Sequence, residues 1–188
     1  VHSGDFTGQG ELRHYRSLSN WLVQQADTKG FQHIVIVPGN HDLTFESMED
    51  MARSCFDPAI TILIGQEVTL DGVKFYGAPH TPEFYSWAFN VERDSDKMRA
   101  VWDKIPTDTD VLITHGPPFG ILDRNSDNFP CGCKALSKAV HTIQPKVHVY
   151  GHIHEGYGTT VVNGTTFVNA STCDGNYRPI NKPIVVDV

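Results

Sequence analysis

The sequence predicts a single domain, residues 1–188, of the mixed α/β (α+β) class, with mixed β-sheets packed face to face and helices outside. Three observations lead to this prediction. Short apolar runs rich in β-branched residues alternate with stretches of helical periodicity. Two Xaa-Gly pairs divide runs of strand-forming residues, which is typical of β-hairpins. The length of 188 residues suits one domain, and no linker or internal repeat divides it.

The first half of the chain alternates between helix and strand. Residues 11–28 carry one apolar stripe at helical spacing, which predicts a surface helix. Residues 34–37 read Ile-Val-Ile-Val and predict a buried strand. A helix is expected near 45–55. Residues 67–76 then form a predicted hairpin, because the pair Asp71-Gly72 lies between its two strands.

The second half repeats this alternation. We expect a helix near 95–104 and a buried strand at 111–113, because the latter reads Val-Leu-Ile. A helix near 132–143 and a strand at 147–150 follow. The last predicted elements are a hairpin around Asn163-Gly164, with strands at 159–162 and 165–168, and a closing strand at 184–188.

Four short polar motifs each follow an apolar run. They are Gly4-Asp5, Gly39-Asn40-His41-Asp42, Thr114-His115-Gly116 and Gly151-His152-Ile153-His154. In α/β sheets the carboxyl ends of strands open onto loops, so these side chains are expected to meet in one crevice. Carboxylate, amide oxygen and imidazole suit Mn, Zn, Fe or Mg, and soft thiolates are absent from the set. The motifs therefore predict a metal site for phosphate ester chemistry.

Several of these residues also have an ordinary structural explanation. Asp5 is the candidate carboxylate to bridge two cations, but an Asp at this place also caps helices. Asn40 offers an amide oxygen, and Asn after Pro-Gly is also common in turns. His41 is a candidate general acid, since imidazole can protonate a leaving alkoxide. Asp42 would orient the His41 ring, or it would be an ordinary acid at a helix N-terminus.

Aromatic and proline residues near the motifs are candidates for a substrate wall. The segment 84–89 holds four aromatic residues, and Pro117-Pro118-Phe119 follows His115. Trp87 or Pro117 would then contact the organic part of a phosphate ester. The alternative for Trp87 and Phe89 is hydrophobic core beneath a long loop, because large aromatic residues usually become buried.

The motifs and their order resemble the calcineurin-like metallophosphoesterase superfamily. Longer stretches, such as Gly-Asn-His-Asp-Leu-Thr-Phe at 39–45, Thr-His-Gly-Pro-Pro at 114–118 and Asn-Ala-Ser-Thr-Cys at 169–173, resemble its metallophosphoesterase-domain (MPPED) branch. The resemblance implies a four-layer αββα sandwich. The family's opening Asp-x-His motif has no match, so we expect the N-terminal strand that carries it to be missing here.

The resemblance also implies roles for individual residues. Asp5 would bridge two divalent cations, with Mn²⁺ as the expected ion and Zn²⁺, Fe or Mg²⁺ as alternatives. One cation would be bound by Asp5, Asn40, His115 and His152. The other would have only Asp5 and His154 as protein ligands, because the Asp-x-His motif is missing. Asn40, His41 and His115 would also contact the substrate phosphate.

The function implied is hydrolysis of phosphodiesters in small nucleotides, cyclic nucleotides included. The alternative is a nucleotide-binding or scaffolding protein with weak or no turnover, because the first metal site is incomplete. The formal charge of −7, from 22 acidic and 15 basic residues, argues against a nucleic-acid polymer as partner. No apolar run predicts a membrane span. The four cysteines lack a disulfide-framework spacing, so we expect reduced thiols in a cytoplasmic protein.

Two further histidines are ambiguous. His148 lies in a predicted strand between Val147 and Val149, so it is expected to be a core histidine that faces away from the site. His80 lies in a loop between two prolines, and it is either a pocket residue or an ordinary loop residue.

Overall fold

The computed structural model describes residues 1–188, which form two principal β-sheets and five α-helices. In chain order the elements are α1 (Leu12–Lys29), β1 (Ile34–Ile36), α2 (Leu43–Ser47), α3 (Glu49–Arg53), β2 (Ile60–Ile62), β3 (Gln66–Leu70), β4 (Val73–Ala78), β5 (Thr81–Pro82), β6 (Asn90–Val91), α4 (Asp96–Trp102), β7 (Val111–Thr114), α5 (Lys134–Ile143), β8 (Val147–Tyr150), β9 (Gly158–Val162) and β10 (Thr165–Asn169). A 3₁₀ turn spans His154–Gly156.

The larger sheet has six strands in the order β3-β4-β7-β8-β10-β9. Its four central strands are parallel, and the edge strands β3 and β9 pair antiparallel to their neighbours. Both edge pairs are the predicted hairpins, with Asp71 and Asn163 at positive φ in the turns. The parallel centre directs the carboxyl ends of β7 and β8 to the same side of the sheet.

The smaller sheet pairs β1 with β2 in parallel. His2 extends it on the other side of β1 through a parallel bridge to Ile36. Its backbone N–H donates to the Val35 carbonyl and its own carbonyl accepts from the Val37 N–H, both at 3.0 Å. The first residues of the chain are thereby fixed beside the carboxyl end of β1.

The two sheets pack face to face between outer helices. Successive side chains of a strand point to opposite faces, so each buried strand contributes to two layers. Val35 and Ile113 belong to the cluster between the sheets. Ile36 packs with α1, α2 and α3, whereas Leu112 packs with α4 and α5 on the far side. The predicted αββα arrangement is therefore confirmed.

The predicted elements match the observed ones except in two regions. The helix expected near 45–55 is two five-residue helices, α2 and α3, which break at Met48, where the φ of −147° is not helical. The closing strand expected at 184–188 is wrong. Ile184 and Val186 do pack against the cluster between the sheets, and Val185 is exposed, as in a strand. The backbone there pairs with no strand of the chain.

The four cysteines are free thiols, and Cys133 is buried while Cys131 is partly exposed. Cys133 caps α5, because its Sγ accepts the Leu136 N–H. None of the helices is both long and apolar enough to cross a membrane.

Candidate metal centre

Three parallel strand ends and one loop carry the polar motifs to the same place. Asn40 follows β1, His115 follows β7 directly, and His152 lies two residues beyond β8. Asp5 lies three residues after the His2 bridge, at a φ of 59°. A hydrogen bond from the Gly151 N–H to the His115 carbonyl, 2.9 Å long, joins the loops after β7 and β8.

Two glycines allow these loops to approach each other. A Cβ on Gly39 would lie 2.3 Å from the backbone N and the Oδ1 of Asp5, and 2.6 Å from a ring carbon of His115. A Cβ on Gly4, whose φ is 104°, would lie 2.5 Å from His115 Nδ1. The Gly-Asp and Gly-Asn motifs therefore need glycine because the backbones touch, and not only because the loops turn.

Asp5, His115 and His152 each offer a ligand atom, and these atoms lie within 4.8 Å of one another. Asn40 belongs to the same group, since its Oδ1 lies 2.7 Å from His115 Nε2. The structure thus brings together the four residues that were predicted to share one cation.

The hydrogen bonding of His115 tests whether a cation fits. His115 Nδ1 donates to the Ser3 carbonyl at 2.8 Å, and the side chain is 1% exposed. In this neutral tautomer Nε2 carries a lone pair, and it faces Asn40 Oδ1 at 2.7 Å and Asp5 Oδ1 at 3.3 Å. Three acceptors then converge with no donor between them. A proton on Nε2 or an Asn40 amide turned to present Nδ2 would satisfy part of this group, and a bound cation would satisfy all three atoms. Oxygen and imidazole ligands of this kind suit Mn²⁺, Zn²⁺, Fe or Mg²⁺.

The charges of the cluster are strongly coupled. Burial alone would raise the pKa of Asp5, but His115 and the hydrogen bond from the His41 N–H outweigh it, so the net shift is downward. Burial would lower the pKa of His115, yet the Asp5 carboxylate raises it overall. Burial and then His115 lower the pKa of His152 to about 3. His152 is therefore neutral at pH 7, as a metal ligand must be.

His41 lies at the edge of the cluster. Its backbone N–H donates to Asp5 Oδ1 at 3.0 Å. Its ring Nδ1 donates to the Gly8 carbonyl at 2.8 Å, and the ring stacks on Trp87 with centroids 4.1 Å apart. The ring is thus held by a backbone carbonyl and an indole face, which leaves Nε2 without a protein partner.

The prediction that Asp42 orients the His41 ring is wrong. The buried Asp42 carboxylate accepts instead from the Gly39 N–H at 2.8 Å and from the Phe6 N–H at 3.1 Å. Asp42 is the N-cap residue of α2, so its alternative place at a helix N-terminus is confirmed, although its side chain makes no capping bond. Its carboxylate ties the loop around Asp5 to the loop around Asn40.

Burial raises the pKa of Asp42 to about 7, against the hydrogen bond from Gly39, and the nearby charge of Asp5 adds to the rise. The hydroxyl of Tyr15 is buried close by, and burial together with Asp42 raises its pKa. These polar groups lie beneath the site loops and do not face the open side.

His154 lies outside the cluster of ligand atoms. The i, i+2 spacing of His152 and His154 would point both rings to one side in an extended segment, and this segment is not extended. His152 has a φ of 67° and His154 begins the 3₁₀ turn. His154 Nδ1 donates to the Asp174 carbonyl at 3.0 Å, and the ring meets the edge of Tyr177 at 5.3 Å.

The aromatic residues divide between site and core. Trp87 is partly buried and contacts His41, so it borders the site. Phe89 is part of the core beneath α1 and α2, as its alternative predicted. Tyr85 is 79% exposed. Pro117 is buried, and its carbonyl accepts the Cys133 N–H at 3.0 Å.

The other two histidines pack against aromatic residues. His148 is fully buried between β7 and β10, and its Nε2 donates to Thr114 Oγ1 at 2.9 Å, so it is a core histidine. His80 packs on Phe89 and Trp102, and its buried Nδ1 has no partner. Burial lowers the pKa of His80 to about 4.

Sequence reasoning missed the residues that support the cluster through backbone atoms. Ser3 and Gly8 hold the rings of His115 and His41 with their carbonyls, which no sequence pattern reveals. The sequence gives Asn169 and Ser171 no role beyond their place in a stretch that resembles the MPPED branch, yet both contact the loop that carries His152 and His154.

Comparison with known proteins gives consistent matches. The family model described as calcineurin-like phosphoesterase matches residues 1–156. Metallophosphoesterase domain-containing protein 1 of Homo sapiens and of Mus musculus is 37% identical over 212 aligned residues, which cover 100% of this chain and 64% of the relative. A UPF0046 protein of Caenorhabditis elegans is 32% identical over 208 residues and is covered to 72%. The chain thus spans 64% of the length of its first relatives.

One solved crystal structure has the same fold. It superposes with a TM-score of 0.61 at 19% identity, covering 85% of this chain and 65% of that one. At this identity the likeness concerns the fold alone.

Proposed function

Because this chain belongs to the calcineurin-like phosphoesterase family, we propose that it hydrolyses phosphodiesters of small nucleotides, cyclic nucleotides included, through a dinuclear metal site. The observation that carries the proposal is the convergence of Asp5, Asn40, His115 and His152. Carboxylate, amide and imidazole ligand atoms that converge from separate loops form the kind of set that binds a divalent cation.

The proposed ligands follow from the donor atoms. Asp5, Asn40, His115 and His152 would hold one divalent cation, and Asp5 with His154 would hold the second. Mn²⁺ is the proposed ion, with Zn²⁺, Fe or Mg²⁺ as alternatives that the same donors accept. When bound, such cations polarise a phosphoryl oxygen and activate water as the nucleophile.

His41 is the proposed general acid. Its Nδ1–H is fixed on the Gly8 carbonyl, so Nε2 is the atom that can pass a proton to the leaving oxygen. Its backbone N–H is bonded to Asp5, which keeps the ring beside the cluster. Trp87 stacks on the same ring and restricts its rotation. This role does not require Asp42, because the Gly8 carbonyl orients the His41 ring instead.

The proposed substrate wall combines Trp87 with Pro117. A nucleotide base needs a flat apolar surface near the phosphate site, and the indole of Trp87 lies next to His41. Pro117 lies two residues beyond His115. Asn40, His41 and His115 would contact the phosphate. The acidic chain, at −7, favours a small nucleotide over a nucleic-acid polymer.

The test is hydrolysis of 2′,3′-cyclic AMP by the purified protein in Mn²⁺ buffer, followed by chromatography of the products. We expect a nucleoside monophosphate to form, and chelation of Mn²⁺ to abolish its formation. His14→Ala, at a partly exposed position of α1, is the matched control for His115→Ala. A folded, Mn²⁺-loaded protein that hydrolyses neither this substrate nor bis(p-nitrophenyl) phosphate would refute the proposal.

A second candidate function is nucleotide binding with weak turnover. The position of His154 favours it, since this ring lies outside the cluster and the second cation then has few protein ligands. Equilibrium dialysis with AMP separates the two candidates. Tight AMP binding without hydrolysis of a cyclic nucleotide supports binding alone.

A further inference from the structure

The loop that carries His152 and His154 is held by a side chain outside all four motifs. Asn169 is the last residue of β10, and it is fully buried. Its Nδ2 donates to the Ile153 carbonyl at 2.8 Å and to the Leu122 carbonyl at 3.2 Å. Ile153 is the residue between the two histidines. One amide group therefore forms hydrogen bonds both to the centre of the Gly-His-Ile-His motif and to the loop that follows β7.

The same amide is satisfied on its other side. Asn169 Oδ1 accepts from the Ser171 N–H at 3.1 Å and from the Ser171 hydroxyl at 2.8 Å. Both hydrogens of Nδ2 and both acceptor positions of Oδ1 are thus in use. A flipped amide would set its oxygen against two carbonyls, so only one orientation satisfies the network. Buried networks of this kind are rigid when every member is paired.

The loop needs such a support because no sheet holds it. His152 has a left-handed φ of 67°, and the Ile153 N–H bonds only locally, to the Gly151 carbonyl at 2.8 Å. A Cβ on Gly156 would lie 2.1 Å from the Leu122 carbonyl oxygen and 2.7 Å from Asn169 Nδ2. The 3₁₀ turn is thus packed directly onto the Asn169 network, and glycine is what allows this approach.

We propose that Asn169 is a positioning residue for the metal centre, because its amide fixes the Ile153 peptide and through it the directions of the His152 and His154 rings. The inference rests on the proposed function, since the two histidines are its proposed ligands. It adds a residue that contacts no cation and no substrate. Ser171 is its partner, which holds the amide in the orientation that donates to Ile153.

The first test is Asn169→Asp, titrated with Mn²⁺ alone by calorimetry. The substitution keeps the size of the side chain but replaces the donor Nδ2 by an oxygen that faces two carbonyls. We expect the dissociation constant for Mn²⁺ to rise about 10- to 100-fold, the usual range for losing a group that orients a metal ligand. The matched control is Asn163→Asp, the same change in the exposed turn of the same hairpin. A Kd within twofold of the wild-type value in folded Asn169→Asp overturns the proposal.

A second variant covers the outcome in which Asn169→Asp does not fold. Ser171→Ala removes the hydroxyl, which donates to Asn169 Oδ1 at 2.8 Å and lies 3.5 Å from the Ile153 carbonyl, and leaves the backbone N–H in place. Its Kd for Mn²⁺ should rise about 2- to 10-fold, as for the loss of one neutral hydrogen bond. An unchanged Kd in this variant overturns the proposal when the Asp variant is unfolded.

A third measurement needs neither activity nor metal. Carbon–proton NMR correlations of the imidazole rings of His152 and His154 should shift or broaden in metal-free Asn169→Asp and stay in place in Asn163→Asp. A role in stability alone would lower the melting temperature without moving them. If the wild-type protein binds no Mn²⁺, the proposed function fails while these ring signals still decide the role of Asn169.

Discussion

We expect the buried His148 to lower the stability of this protein in mild acid, by an amount that follows from its pKa. The ring is fully buried, and burial alone lowers its pKa from 6.5 to about 3. Its Nε2 donates to Thr114 Oγ1, which donates in turn to the Gly116 carbonyl at 2.7 Å. The ring neighbours are Tyr150 and Phe167, and Nδ1 has no partner. No carboxylate faces the ring to stabilise a proton on it.

The sign follows from the lowered pKa. The unfolded chain binds a proton on His148 below pH 6.5, whereas the folded chain stays neutral until about pH 3. The free energy of unfolding therefore falls as the pH drops from 6.5 towards 3. Between pH 7 and pH 5 the linkage relation gives a loss of about 2 kcal/mol from this residue. The result depends on the unfolded pKa and hardly changes if the folded value is 4 instead of 3.

The variant His148→Gln should remove this loss. A glutamine can still donate to Thr114 Oγ1, but it does not titrate. Urea unfolding at pH 7 and pH 5 should show a drop in unfolding free energy about 2 kcal/mol smaller than in the wild-type protein. The comparison must be a difference, because burial also lowers the pKa of His2 and His80 to about 4. His141→Gln, at an exposed position of α5, is the control. Equal drops in wild type and His148→Gln would mean that the buried ring is protonated or hydrated in the folded state.

Three further predictions concern the site. His41→Ala should keep its metal content, because the ring contacts Gly8 and Trp87, and its kcat should fall about 10²- to 10⁴-fold. His115→Ala should lose metal and activity together. If elemental analysis showed a metal-free His41→Ala and a metal-loaded His115→Ala, the two roles would be exchanged. His152→Gly should cut kcat/KM for a 2′,3′-cyclic nucleotide by about tenfold or more while AMP binding stays within roughly tenfold; full activity at saturating Mn²⁺ would remove His152 from the ligand set. Gly156→Ala should lower the unfolding free energy by about 1–3 kcal/mol, because its Cβ meets the Leu122 carbonyl at 2.1 Å; an unchanged urea midpoint would show that the turn can move.

The sequence was sufficient for the fold wherever a strand is buried on both faces. Residues 34–36, 111–114 and 147–150 are strands. Short runs rich in β-branched residues favour the extended backbone, and strands buried on both faces need such runs. The two hairpins were predictable because Asp71 and Asn163 precede glycine in turns that need positive φ. The closing strand at 184–188 failed because alternation predicts which side chains pack, and here they do, but it does not supply a neighbouring strand.

The composition of the candidate site could be anticipated for a similar reason. Parallel strands of one sheet place their carboxyl ends together, and the two sheets pack face to face, so the polar residues after Ile36, Thr114 and Tyr150 can meet. The spacing of the residues did not predict the path of each loop beyond the end of its strand. The left-handed φ of His152 turns the chain out of the extended path, which separates His154 from the cluster.

The Gly39–Asp42 motif shows why the role of a residue is harder to predict than its membership of a site. Asn40 directs its amide oxygen at His115, His41 stacks outwards on Trp87, and Asp42 turns back beneath the loop to the Phe6 and Gly39 N–H groups. Three successive side chains thus take three directions, a pattern that belongs to neither the period of a strand nor that of a helix. The partner of His41 is the Gly8 carbonyl, and every residue type has a carbonyl. A carboxylate next to a histidine in the sequence is therefore weak evidence that the two side chains are hydrogen-bonded. A carboxylate buried beneath a loop, as Asp42 is, instead accepts hydrogen bonds from backbone N–H groups.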